Sequence, residues 1–213
     1  MRMSCESMSF LRRRRAERIY RDGGWGPLLT WPVARPEGTP LVFQLRLPTG
    51  VELIDMDTLA GSANGAPEFV GDGKQALQRG SEAAGAIVVG ALCGTQDTGE
   101  REVLATVTVA LSDVTGPPDV EAGTETDGDR RSHTEVAKLS DKVTLVKRLI
   151  AETVPGQAEP VAILVMQYLI ETRYGALTMA FSTTNTDMFG DFGRSMFLKV
   201  VETGFIGDRA QPY

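Results

Sequence analysis

The sequence predicts an α+β domain built around a wide sheet, and three observations carry that expectation. Several stretches alternate apolar and polar residues, or run apolar for a strand's length, as half-buried and buried strands do. The closing segment spaces its apolar residues as a helix does. The strand-like stretches are joined closely enough to be neighbours in a sheet. With 213 residues, 42% of them hydrophobic, the chain can enclose one sizeable core. We expect a basic arm and Trp/Pro-rich lead-in over 1–40, a single domain over 41–207 and a tail over 208–213.

Residues 9–21, SFLRRRRAERIYR, have helical character, with Leu11, Ile19 and Tyr20 as a thin apolar stripe that is too short to be stable alone. Met8 is an alternative start. The stretch 23-GGWGPLLTWPVARPEGTP-40 is too rich in Gly and Pro for regular structure, yet it holds Trp25, Leu28, Leu29, Trp31 and Val33. It therefore reads as an irregular cover over a core. In 41-LVFQLRL-47, Leu41, Phe43, Leu45 and Leu47 alternate with Val42, Gln44 and Arg46, which predicts a half-buried strand. Pro48-Thr49-Gly50 supplies a turn, and 51-VELI-54 reads as the returning arm of a hairpin. Residues 57–73 read as loop and 74–84 as helix, the latter weakened by Gly80.

Two strands follow, the apolar run 86-AIVVGALC-93 and 102-EVLATVTVAL-111, whose Val103, Ala105, Val107 and Val109 share one face. The loop 94–101 suits antiparallel neighbours. Residues 113–135 hold almost no large apolar group and read as a solvated acidic loop. In 143-VTLVKRLIAETV-154, a helical stripe of Val143, Val146 and Ile150 competes with the β-branched Val143, Thr144 and Val146, and we favour strand. A strand from Pro160 to Glu171 turns through 172–175 into 176-ALTMAFS-182. Thr184 or Asn185 then caps a helix carrying Met188, Phe189, Phe192, Met196, Phe197 and Val200 on one face. Gly190 and Gly193, flanking Phe192, suggest close packing of that helix on a sheet.

Charge is divided unevenly along the chain. Residues 1–21 hold seven Arg against two Glu, which leaves the remainder at −11 in a chain of net charge −6. An acidic body does not suit nucleic acid, whose binding rests on neutralising phosphates. Cys5 and Cys93 are too few for a disulfide framework, so the chain reads as cytoplasmic. It has no secretory h-region after its basic residues and no apolar run long enough to span a bilayer.

The search for chemistry returns few candidates. His133, the sole histidine, falls in the polar 113–135 segment, where nothing positions it as a general base. One His and two distant Cys give no zinc spacing. The string 71-GDGK-74 lacks the first glycine and the Ser or Thr of a phosphate loop. Glu125, Asp127 and Asp129 alternate like calcium ligands, but Arg130 replaces the required glycine. No catalytic, cofactor-binding or metal-binding residue is assigned, and no cofactor is expected. The local anomaly is Arg12, Arg13, Arg14 and Arg15, which with Trp25 and Trp31 form a candidate contact for a partner or an anionic membrane surface.

The element order, with 167-QYLI-170, 176-ALTMAFSTTN-185 and the aromatic closing helix, resembles the Mog1/PsbP-like fold of uncharacterised actinobacterial proteins over residues 41–203. That resemblance implies a broad antiparallel sheet flanked by helices. It also implies a protein that acts by binding another protein, since characterised members mostly do so. The leading expectation is thus a non-enzymatic cytoplasmic adaptor. The alternatives are a small-molecule binder or hydrolase using Asp55, Asp57 or Glu68, and a membrane-peripheral protein attached through the arm.

Overall fold

The computed structural model describes residues 24–34, 39–55, 86–95, 101–112, 122–127, 130–153 and 160–209. The expected helices over 9–21 and 74–84, and Arg12 to Arg15, lie outside them. In chain order the elements are β1 (Trp25–Val33), β2 (Leu41–Pro48), β3 (Val51–Asp55), β4 (Ala86–Thr95), β5 (Arg101–Ser112), β6 (Gly123–Asp127), β7 (Arg130–Lys138), β8 (Val143–Glu152), β9 (Val161–Thr172), β10 (Gly175–Thr183), a 3-10 turn (Thr186–Met188), α1 (Asp191–Glu202) and β11 (Phe205–Gly207). One sheet has the order β1-β2-β11 and the other β3-β4-β5-β10-β9-β8-β7-β6. The chain divides into two compact units: Met1–Leu53, Cys93–Leu104 and Asn185–Tyr213 form the first, and Ile54–Leu92 and Ala105–Thr184 the second.

In the first unit, β2 lies between β1 and β11, both antiparallel to it. Its alternation does what the sequence predicts, for Leu41, Phe43, Leu45 and Leu47 are all buried. Trp31 pairs with Phe43 and sets its ring 5.7 Å from that of Phe43. Helix α1 buries Met196, Phe197, Val200 and Val201 on one stripe. Its end is fastened to the sheet by Thr203, whose hydroxyl accepts from the Arg46 N–H at 3.1 Å and lies 3.0 Å from the Arg46 carbonyl.

The second unit is organised by the hairpin β9–β10, in which Gly175 pairs with Thr172 across a two-residue turn, Arg173 and Tyr174. Gly175 has φ 125°, outside the range L side chains prefer, so the turn depends on glycine. The Thr172 hydroxyl ties the turn by donating to the Gly175 carbonyl at 2.7 Å and accepting from the Tyr174 N–H at 3.1 Å. Strand β10 alternates buried and half-buried residues along its whole length. The buried set Leu177, Met179 and Phe181 continues across the register into Val107 and Val109 of β5 and Met166 and Tyr168 of β9. Tyr168 and Phe181 meet edge to face with centroids 6.0 Å apart.

Several expectations need correction. The structure is mainly β, two antiparallel sheets with one α-helix among the described residues, and not an α+β fold with helices flanking a sheet. The lead-in holds a nine-residue strand, β1, despite Gly26, Pro27 and Pro32. Its place at a sheet edge explains the tolerance, since proline's missing donor is harmless where no second neighbour needs it. Pro48-Thr49-Gly50 makes the expected turn, but β2 and β3 enter different sheets and form no hairpin. The supposed acidic loop over 113–135 contains β6 and most of β7. The helix begins at Gly190, which provides no side-chain cap, whereas the Asn185 side chain donates to Glu102 Oε1 at 3.2 Å.

Candidate interaction site

The larger sheet changes character toward its β6 side. Along one register row, Val107, Phe181 and Met166 are buried, Lys147 on β8 is half-buried, and Glu135 on β7 is exposed. A parallel row runs from buried Leu164 to exposed Leu149 and His133. The strands themselves are sound, because β7 pairs with β8 over all nine of its residues. What fails is burial, not pairing. Apart from half-buried Ser132 and buried Thr134, the described side chains of β6 and β7 are exposed, and strands this wet need no apolar alternation, which is why 123–138 resembles loop in sequence.

On this margin a chain of polar contacts joins three strands. Thr124 Oγ1 on β6 lies 3.1 Å from His133 Nδ1, His133 Nε2 lies 3.5 Å from Glu135 Oε1, and Lys147 Nζ donates to Glu135 Oε2 at 3.2 Å. The Lys147 ammonium holds the Glu135 carboxyl below the usual carboxylate range, first by its hydrogen bond and then by its charge. A hydroxyl, an imidazole and a carboxylate in series invite comparison with a nucleophile, base and orienting acid. Here His133 and Glu135 are 54% and 55% exposed, so water competes for every one of these bonds. Activation by a base depends on a dry, preorganised setting, and the arrangement instead braces β6 against β7.

The same margin concentrates exposed apolar groups. The large hydrophobic side chains exposed among the described residues are Trp25, Val136, Leu139 and Leu149, and the last three belong to β7, β8 and their turn. Residues 130–152 also carry six Lys or Arg against three Asp or Glu, a net +3 inside a chain of −6. Basic and apolar groups therefore coincide on one hairpin of an otherwise acidic body. Sequence reasoning placed 113–135 in an acidic loop and 143–154 in a strand, and it singled out none of Val136, Lys138, Leu139, Lys147 and Leu149 as surface residues. The available signal was the alternation of β-prone Thr124 with Thr126, and of Thr134 with Val136.

Of the residues singled out from sequence, Trp25, Trp31 and Asp55 fall within the described residues. Trp25 is 41% exposed and Trp31 is half-buried. The register of β1 against β2 shifts between Trp25 and Leu28. Trp25 therefore stands opposite Pro48, and Trp31 opposite Phe43, on the other face of the sheet. The two indoles form no joint patch. Asp55 ends β3 in an exposed position, while Asp57 and Glu68 lie outside the described residues. Among the described residues no three His, Cys, Asp or Glu side chains converge as a metal site, and no helix is long and apolar enough to cross a membrane.

No protein-family model matches the sequence, and no curated protein matches it. Among solved structures, the chain is similar to the crystal structure of LpqN, described as involved in cell envelope biogenesis of Mycobacterium tuberculosis. The match has a TM-score of 0.37 and 13% identity, and it covers 87% of this chain and 93% of that one. A likeness this loose carries neither fold nor function to this chain, and it does not confirm the Mog1/PsbP-like resemblance.

Proposed function

We propose that the protein is a non-enzymatic adaptor that acts in the cytoplasm by binding another protein through the β7–β8 margin of its larger sheet. The observation that carries this reading is the gathering of Val136, Leu139 and Leu149, exposed 40%, 37% and 42%, on one hairpin. Single exposed apolar residues are ordinary, whereas several on one element mark an interaction surface. The cationic excess around them adds electrostatic steering toward an acidic partner.

The test is affinity capture from the native host with the full chain and with a Val136→Thr, Leu149→Ser variant. Both sites are about two-fifths exposed, so the variant's unfolding midpoint should stay close to that of the parent. Specific partners should be lost from the variant. Retention of the same partners at the same yield would remove the surface from consideration.

A further inference from the structure

We infer that the β7 edge is a strand-addition site, which takes an extended apolar and acidic segment of the partner protein as a further strand. This rests on the reading of the margin as a protein-binding surface and names the way that surface is used.

The first observation is a half-open edge. Strand β7 pairs with β8 from Arg130 to Lys138, but with β6 only from Arg130 to Thr134. Among the described residues no strand pairs with the outer side of Glu135, Val136, Ala137 and Lys138. Among the described residues, their outward backbone donors and acceptors are left to a chain in extended conformation.

The second observation is how the exposed groups are distributed. By the strand alternation, Val136 and Lys138 face one side of the sheet, and Glu135 and Ala137 the other. Leu149, opposite His133, lies on the Glu135 side. A partner helix laid on one face, or a lipid surface below it, would meet half of these groups. A strand along the edge meets both halves, because its own side chains alternate between the two faces.

The residues at the edge also define what the strand should carry. Ala137 is small and exposed on the side of Leu149, which leaves room there for β-branched or larger apolar side chains, while Val136 shares its side with Lys138 and would pack against the aliphatic stem of an acidic residue. Glu135 already has Lys147 at 3.2 Å and needs no partner cation. Among the described residues Lys138 has only Asp141, 3.8 Å away, with the two groups 68% and 103% exposed, so it is available to a carboxylate. Lys142 and Arg148, both exposed on the same hairpin, extend the preference for acidic residues.

The experiment uses the full chain and a capped peptide, Glu-Val-Glu-Val-Glu-Val, followed by amide hydrogen exchange and by titration. A Lys-for-Glu counterpart and two copies with alternate amides N-methylated, one in each register, serve as comparisons. The acidic peptide should slow exchange within 135–138, and Lys138→Glu should weaken it about tenfold by reversing one cross-strand charge pair. One methylated copy should bind about tenfold more weakly or worse, since it cannot complete the ladder. Equal binding by both methylated copies overturns strand addition while leaving a protein-binding face intact. Binding of the Lys peptide as tightly as the Glu peptide, or no binding of the Glu peptide, also overturns it. Leu149-dependent binding to phosphatidylglycerol vesicles with no peptide binding would assign the margin to lipid. The capture experiment with Val136→Thr, Leu149→Ser reports separately on whether the margin binds protein at all.

Discussion

Gly193 and Gly190 sit three residues apart in and before α1, and the structure assigns them opposite tolerances. A Cβ on Gly193 would collide with the backbone carbonyl of Met188 in the preceding 3-10 turn, whereas a Cβ on Gly190 would meet nothing within 4 Å. Alanine in a helix interior normally gains about 1 kcal/mol over glycine. At Gly193 that gain opposes an overlap with backbone, which no rotamer change relieves and which costs up to about 3 kcal/mol when the main chain must move. Gly193→Ala should therefore lose about 2 kcal/mol net, a fall in melting temperature of about 4–8 °C for a chain of this size. The assay is thermal and urea unfolding of the parent, Gly193→Ala and Gly190→Ala, followed by far-UV circular dichroism. Gly190→Ala should stay within about 0.5 kcal/mol, because it changes only a cap that already lacks a side-chain acceptor. If Gly193→Ala were as stable as the parent or more so, helix propensity would have outweighed the contact. The close approach of turn and helix would then not constrain the residue.

Three further outcomes follow from contacts described above or adjoining them. Thr108 Oγ1 on β5 is buried and has no hydrogen-bond partner among the described residues, so Thr108→Val, which keeps the shape, should stabilise the fold by about 1 kcal/mol in urea unfolding. Gly175→Ala forces φ 125° on an L side chain and should cost about 1 kcal/mol or more, read as a lower urea midpoint. Glu135, depressed by Lys147, contributes stability that is present above its unfolded value near 4.5 and is lost as pH falls through its folded value. A carboxyl-detected NMR titration should place its midpoint below 4.5, rising toward 4.5 in Lys147→Met or at high salt.

Where burial imposes a pattern, the strands could be read from the sequence. The alternation of Leu41, Phe43, Leu45 and Leu47 marks β2, and the apolar runs of 161–171 and 176–182 mark β9 and β10, all within a residue or two of their bounds. At 143–152 the helical stripe and the β-branched residues competed, and the need of a wide sheet for a member there favoured strand; β8 is paired on both sides, to β7 and to β9. The pattern disappears in β6, whose residues are exposed, and is broken by two prolines in β1. Local sequence also cannot show that a chain leaving a turn joins another sheet, so the β2–β3 hairpin was a natural error. The margin that became the candidate site was hidden for the same reason as its strands. Polar residues on a wet sheet edge and polar residues in a loop share a composition, and only register separates them.

The closure of the smaller sheet has a bearing on how the protein is made. The central strand β2 must wait for β11, and the Arg46–Thr203 bond spans 157 residues of sequence. Until residues 205–207 have been synthesised, the side of β2 that pairs with β11 has no strand, and buried Phe43 lacks its cross-strand neighbour Ile206. Contacts of such long range close slowly and leave nascent intermediates exposed to aggregation. On the ribosome, the growing chain therefore carries an open hydrophobic edge for most of its elongation, and chaperone dependence should concentrate there.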